Sequence, residues 1–251
     1  MEFLTNKRVV LLDGDGTLYT GDTLIPGASA FLETCLNRGL QVYLLTNNSS
    51  KTPALYQEKL AKMGLGIPLD QIIISTHPAI AYFKEKGISR VYGLANKPVT
   101  AWLGNEGLDL SHPDPEALLL TYDTQLSYDR LAQFCHFVQE GRPFYATHPD
   151  ICCPSEQGPL PDVGSFLALI KSATGQDPRH IFGKPNRDML NGIRVPDSEI
   201  VMIGDRLYTD IQMTLGTQIT SVLTLSGETT AELLQASDIV PDYVLSSLAS
   251  A

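Results

Sequence analysis

The 251-residue chain carries 28 acidic against 18 basic residues, a net charge of -10, and its pI is near 4.9. A surface of that sign attracts neither nucleic acid nor an anionic membrane, so neither is expected as a partner. Hydrophobic residues make up 43% of the sequence, enough for one large or two modest cores, and without a membrane-length apolar run or a secretory leader the expected location is the cytoplasm.

Read in order, Val9-Val10-Leu11-Leu12 is an apolar run without alternation, as in a strand buried on both faces of a parallel sheet. It stops at Asp13-Gly14-Asp15-Gly16-Thr17. Side chains two apart on an extended segment point the same way, so Asp13 and Asp15 project together from the strand's carboxyl end, where open α/β sheets place their ligands. Gly14 and Gly16 leave room for backbone N–H groups near an anion, although an Asp-Gly turn explains the same residues. A polar segment that can act as a flap follows, then a helix from Ala28 to Arg38 closed by Gly39. Residues 41–46 form the second strand, ending at Thr46. Asn47-Asn48-Ser49-Ser50-Lys51 and a helix from about Pro53 follow, and capping or turn formation is an alternative use of Thr46 and the asparagines.

A strand at 71–75 and a helix from Pro78 to Lys86 come next. Strands at 90–94, 117–121 and 143–147 then alternate with helices at 98–104 and 128–139, a block able to close a small α/β sheet of its own. The stretch 147–161, rich in Pro, Gly, Ser and Cys, is a long loop of the kind that often carries function. A helix spans 164–174. Ile181 to Pro185 lead into a short helix over 186–192. The strand 199–205 ends in Asp205, and a helix over 209–215, a strand at 219–225, a helix at 230–235 and a strand at 243–245 complete the chain. The alternation predicts an α/β fold with a mainly parallel, Rossmann-like sheet. Cys35, Cys135, Cys152 and Cys153 have neither zinc spacing nor a disulfide framework and read as reduced thiols.

Four patches fall in an order that resembles the haloacid dehalogenase (HAD)-like superfamily, in its NagD-type, nitrophenylphosphatase-like branch. DxDGT stands at Asp13 to Thr17, the strand-terminal Thr at Thr46, the lysine in Gly183-Lys184-Pro185, and GDxxxTD at Gly204 to Asp210. Gly14 departs from the pattern, which more often has a larger residue there, and is expected to loosen local packing. The resemblance implies a core of residues 1–77 and 183–251, with 78–182 inserted as a smaller α/β cap over the site. It also implies that Thr147-His148-Pro149-Asp150 faces the site, the other reading being a turn with a satisfied histidine. Inert packing is the default for Cys152 and Cys153. A homodimer through the cap is a further expectation.

The chemistry follows from the residue types. A carboxylate nucleophile, Asp13, divides phosphate-ester hydrolysis into formation and breakdown of an aspartyl phosphate. Asp15 donates a proton to the departing oxygen and later accepts one from water. Mg²⁺ prefers oxygen ligands, so the Asp13 carboxylate, the Asp15 carbonyl and the Asp205 carboxylate form its expected shell, with Asp210 orienting metal-bound water or pairing locally. Lys184 keeps Asp13 ionised. Gly16, Thr46, Asn47 and Asn48, with Asp15 and Lys184, are the expected contacts of the phosphoryl group. Arg206 reads equally as a surface pair or as support for the site. The expected activity is Mg²⁺-dependent hydrolysis of a small phosphorylated metabolite. A dehalogenase has no use for Asp15, a receiver-type switch is shorter and lacks an insert, and a binding protein with an inactive site is the remaining rival.

Overall fold

The computed structural model describes residues 1–155 and 158–251. The chain runs β1 (Val9–Leu12), the hairpin β2 (Tyr19–Thr20) and β3 (Thr23–Leu24), α1 (Ala28–Asn37), β4 (Gln41–Thr46), α2 (Pro53–Lys62), β5 (Ile72–Ile74) and α3 (Thr76–Lys86). An inserted run follows: β6 (Val91–Leu94), α4 (Lys97–Asn105), β7 (Ala117–Leu120), α5 (Tyr128–Gln139), β8 (Phe144–Ala146), β9 (Cys152–Cys153), β10 (Leu160–Pro161), α6 (Val163–Thr174) and β11 (His180–Ile181). The chain closes with β12 (Ile200–Gly204), β13 (Thr220–Thr224), α7 (Ala231–Gln235) and β14 (Tyr243–Leu245).

Six parallel strands in the order β14-β13-β12-β1-β4-β5 form the main sheet. All four residues of β1 are fully buried, and they divide by parity: Val10 and Leu12 enter one apolar cluster, Val9 and Leu11 the cluster on the other face. That is why the run lacks alternation. The chain winds outward through β4 and β5 on one side of β1 and through β12, β13 and β14 on the other. The strand order therefore reverses between β1 and β12, a crevice where open α/β sheets bind ligands.

The inserted strands make a second parallel sheet, β11-β8-β7-β6, with the same two-sided packing: Ala117 and Leu119 face one cluster, Leu118 and Leu120 the other. Ala79, Ile80 and Phe83 of α3 pack with Phe182 in the first of these clusters. Local signals begin and end the helices. Thr52 caps α2 by accepting from the Leu55 N–H, Ser127 caps α5 through the Arg130 N–H, and Gly175 ends α6 in a left-handed conformation.

Three expected elements differ from the structure. The helix over 186–192 is only a 3-10 turn, Arg187–Leu190. The helix over 209–215 is a π-helical turn, Leu207–Ile211, followed by a 3-10 turn, because the Asp210 carboxylate accepts the Arg206 N–H and draws the chain into a wider ring. The loop 147–161 contains the antiparallel pair β9–β10; residues 156 and 157 of that expected loop lie outside the described residues. Among the described residues no helix is long and apolar enough to cross a membrane.

Candidate active site

Asp13, Thr46 and Asp205 stand at the carboxyl ends of β1, β4 and β12, three strands that are neighbours in the sheet. Lys184 comes from the crossing out of the inserted sheet. Its Nζ lies 2.6 Å from Asp13 Oδ1 and 2.7 Å from Asp210 Oδ1, and donates to the Leu45 carbonyl at 2.8 Å. The side chain is 2% exposed. Burial alone would lower its pKa, but the two carboxylates hold it above the usual lysine range, so it is a fixed cation.

The carboxylates show the opposite strain. Burial raises the Asp13 pKa to about 7 against the pull of Lys184, and the nearby charge of Asp210 raises it further. Asp205 is pushed well above the carboxylate range by burial and then by Asp13 and Asp210. One of its oxygens accepts the Glu228 N–H at 2.6 Å, while Oδ1 is buried without a hydrogen bond among the described residues. Oxygens of Asp13, Asp205 and Asp210 lie within 4.8 Å of one another. An unpartnered buried oxygen, three converging hard donors and one balancing lysine fit a divalent cation of the Mg²⁺ type. Since Asp210 is engaged by Lys184 and by the Arg206 N–H, Asp13 and Asp205 are the side chains better free to hold such an ion.

Glycines clear the space these carboxylates fill. A Cβ at Gly16 or Gly227 would overlap the Asp205 carboxylate, and one at Gly204 would overlap Asp210. Gly16 also sits at φ +89, a conformation favouring glycine, and its carbonyl accepts from the Ser226 hydroxyl. Gly14 does not loosen the packing as expected. The Tyr19 ring occupies the room its missing side chain leaves, with the hydroxyl buried beside the glycine.

Asp15 lies beside this group, at the rim. Burial raises its pKa, and the cations opposing that rise are, in order, Lys59, Lys51, Arg206 and Lys184. A carboxyl so placed keeps a proton more readily than an exposed aspartate does.

The asparagines are fixed by bonds to the site's own framework. Asn47 donates through Nδ2 to Asp150 Oδ1 at 2.8 Å and to the Lys184 carbonyl at 3.0 Å, and its Oδ1 accepts the Lys184 N–H. Asn48 turns its Oδ1 to the Ser50 N–H and hydroxyl and its amide to Cys153 Sγ at 3.7 Å. Both side chains brace the site and, together with Thr46 and Asp150, line the same small polar cavity of about 20 Å³ as Asp13, Asp15 and Lys184.

Two models of known families match the sequence: haloacid dehalogenase-like hydrolase over residues 10–109 and HAD-hydrolase-like over residues 181–251. The dihydroxyacetone phosphatase of Corynebacterium glutamicum is 34% identical, covering 95% of this chain and 88% of that protein. The chain is a HAD-like hydrolase. An acid sugar phosphatase of Staphylococcus haemolyticus is 30% identical over 98% of this chain and 95% of its own length. Among solved structures, the 4-nitrophenylphosphatase of Thermotoga maritima superposes with a TM-score of 0.93 at 36% identity, covering 99% and 97% of the two chains. NagD of E. coli K-12 does so with 0.87 at 25%, covering 98% of each. The fold is thus the NagD-type HAD fold with its inserted cap.

In this HAD-like hydrolase the insert is tied to the core by a buried clasp. Arg206 Nη1 meets Asp150 Oδ2 at 2.6 Å, Nε meets Glu228 Oε2 at 2.9 Å, and Nη2 donates to the Cys152 carbonyl at 3.2 Å. Arg206 is therefore support for the site rather than a surface pair. Asp150 links it onward to Asn47 and so to the lysine. His148 is buried outside the polar cavity, 3.5 Å from Asp162 Oδ1 and 3.8 Å from Asp150 Oδ2, with neither ring nitrogen hydrogen-bonded among the described residues. The expected satisfied turn histidine is absent. Cys152 and Cys153 do reach the cleft: Cys152 lines a cavity of about 490 Å³ beside Asp205, and Cys153 meets Asn48. All four thiols are free. Tyr19, Asp162, Gly227 and Glu228 were not foreseen. Gly227, just past a buried strand, carried the only sequence signal, a glycine where a backbone must approach closely.

Proposed function

We propose that the protein is a Mg²⁺-dependent phosphatase that hydrolyses small soluble phosphate monoesters through an aspartyl-phosphate intermediate. The observation that carries the reading is the salt-bridged pair at the core of the site: Asp13, a strand-end carboxylate held by a buried lysine, within 4.8 Å of two further acids. Relatives named for dihydroxyacetone phosphate-type, acid sugar and nitrophenyl phosphatase activities support the same reaction class.

Asp13 attacks phosphorus; Lys184 opposes the burial that favours its protonated form and offsets charge on the phosphoryl oxygens. Asp15, whose burial favours the protonated form, donates to the leaving alkoxide. It then takes a proton from the water that breaks the acyl phosphate, restoring Asp13 and releasing phosphate. The Thr46 hydroxyl contributes a donor. Asp13, the Asp15 carbonyl and Asp205 would hold a Mg²⁺ ion, which would supply positive charge to offset repulsion between nucleophile and phosphate. Residues 78–182 act as the cap, excluding bulk water above the core formed by 1–77 and 183–251.

The test is a panel of phosphate esters assayed with Mg²⁺ and with chelator, combined with acid quenching of enzyme turning over radiolabelled ester. The expected result is chelator-sensitive turnover and label on wild-type protein that is absent from Asp13→Asn. Turnover that survives in Asp13→Asn overturns the mechanism.

A further inference from the structure

Besides the small polar cavity the structure has two hollows that differ in charge. The hollow beside Asp205 is lined by Ile151, Cys152, Pro154 and Tyr208, with Glu228 at its wall. A cleft of about 390 Å³ runs along α2, lined by Lys51, Lys59 and Lys62 with Leu55 and Met63; Asp22 and Glu58 share its rim. In a chain of net charge -10, three ammonium groups on one wall leave the cleft with local positive charge even after those two carboxylates are counted.

The general acid fixes which flank the leaving group occupies. Asp15 must reach the departing oxygen; Tyr19, which is backbone-bridged to Asp15, carries Lys59 over its ring, and Lys51 follows the 46–50 loop whose Asn48 lines the polar cavity. A leaving group protonated by Asp15 thus emerges beside the lysine cleft.

The lysines are not simply solvated. Lys59 Nζ sits 3.8 Å from the centroid of the Tyr19 ring, and burial lowers its pKa. Lys51 Nζ lies 5.8 Å from the Tyr56 ring centroid. Aromatic faces hold these charges in place without neutralising them. Among the described residues none of the three lysines forms an ion pair. Lys59 and Lys62 in the last turn of α2 complement its dipole, but Lys51 stands just before the Thr52 cap, where the dipole disfavours a cation. Helix electrostatics therefore does not account for Lys51.

We infer that the physiological ester carries a second anionic group, a carboxylate or a further phosphate, on its leaving group, and that Lys51 and Lys59 bind it. The inference rests on the phosphatase reading and narrows its substrate class. An uncharged polyol phosphate leaves both ammonium groups unmatched, whereas a distal anion on the leaving group pairs with them.

The experiment compares matched esters: 3-phosphoglycerate against glycerol 3-phosphate for the carboxylate, and 1,3-propanediol bisphosphate against 3-hydroxypropyl phosphate for the phosphate. The expected wild-type kcat/KM ratio favours one charged member by about tenfold or more, carried mainly by KM. The pair that shows it identifies the anion. In Lys51→Met/Lys59→Met the ratio falls to about one, while Lys86→Met/Lys171→Met, which removes the same two charges from exposed surface sites, keeps it. Taking a ratio cancels any effect of the lost lysines on Asp15 or on folding. Ratios of one or below for both wild-type pairs, or a ratio unmoved in the double variant, overturn the inference. Aryl phosphate turnover in the same samples separates this from failure of the phosphatase reading: its absence in wild type overturns both, its presence with flat ratios only this one.

Discussion

The two sheets contribute to one cavity by different means. The core offers Asp13, Thr46 and Asp205 from the ends of three adjacent parallel strands, so sheet register alone sets their spacing. The insert offers Asp150 from a loop, placed by contacts with Arg206 and Asn47 that lie 56 and 103 residues away in sequence. Groups fixed by register need no partner to be in position, whereas a group fixed by a clasp is only as well placed as the clasp. On the proposed mechanism the core carries the chemistry and the insert the closure.

Removing the core nucleophile breaks the comparison at its strongest point. Asp13→Asn is expected to lower aryl phosphate turnover by about a thousandfold or more while circular dichroism shows an intact fold, since the substitution keeps shape and removes a buried charge. Lys184→Met is expected to cost about a hundredfold or more in kcat. It also lowers the thermal midpoint by several degrees, because Asp13 and Asp210 lose their shared counter-charge in a buried site. An unchanged midpoint with unchanged kcat would place that lysine outside both roles.

Disrupting the clasp should be milder. Asp150→Ala and Arg206→Ala are each expected to lower kcat/KM by about tenfold, and the double variant by little more, because each single change already breaks the same link. Fully additive losses would mean that the two residues act separately.

The pH response tests the core against the solvent. With the Asp13 pKa near about 7 from burial, the metal-free folded chain keeps a proton that the unfolded chain has lost above its ordinary carboxylate pKa. Folding stability of the metal-free protein is therefore expected to fall as pH rises from about 4 to about 7. Metal binding must displace the protons that burial favours on Asp13 and Asp205, so Mg²⁺ affinity by calorimetry is expected to weaken by about tenfold or more per unit as pH falls below 7. A flat affinity from pH 6 to 8 would show that Asp13 is already ionised.

These contrasts also mark what the sequence could disclose. Unbroken apolar runs at 9–12 and 200–204 reveal strands buried on both faces, and the residues just beyond them are fixed by strand direction, so Asp13 and Asp205 were legible. Arg206 was ambiguous because its partners, Asp150 and Glu228, are far away in the chain and nothing local distinguishes a clasp from a surface pair. The segment 207–211 has helical spacing, and only the Asp210 carboxylate turning back to the Arg206 N–H makes it a π turn. Gly14 looked like a defect because the residue that completes it, Tyr19, fills the gap from five positions away after a reversal of the chain.

That complementarity yields the smallest effect and the most local test. A Cβ at position 14 meets the Tyr19 hydroxyl, which is buried and without a hydrogen bond among the described residues, so the tyrosine cannot yield toward a partner. Gly14→Ala is expected to destabilise the fold by about 1–3 kcal/mol through overpacking and to lower turnover only about two- to threefold, since no reacting group moves far. Tyr19→Phe removes the offending oxygen and gives up no hydrogen bond. In the Gly14→Ala background it should restore most of the lost stability in denaturant melts, more than it adds to the wild type. Equal effects of Tyr19→Phe in both backgrounds would mean that residues 14 and 19 do not share the space, and that the glycine answers to the backbone instead.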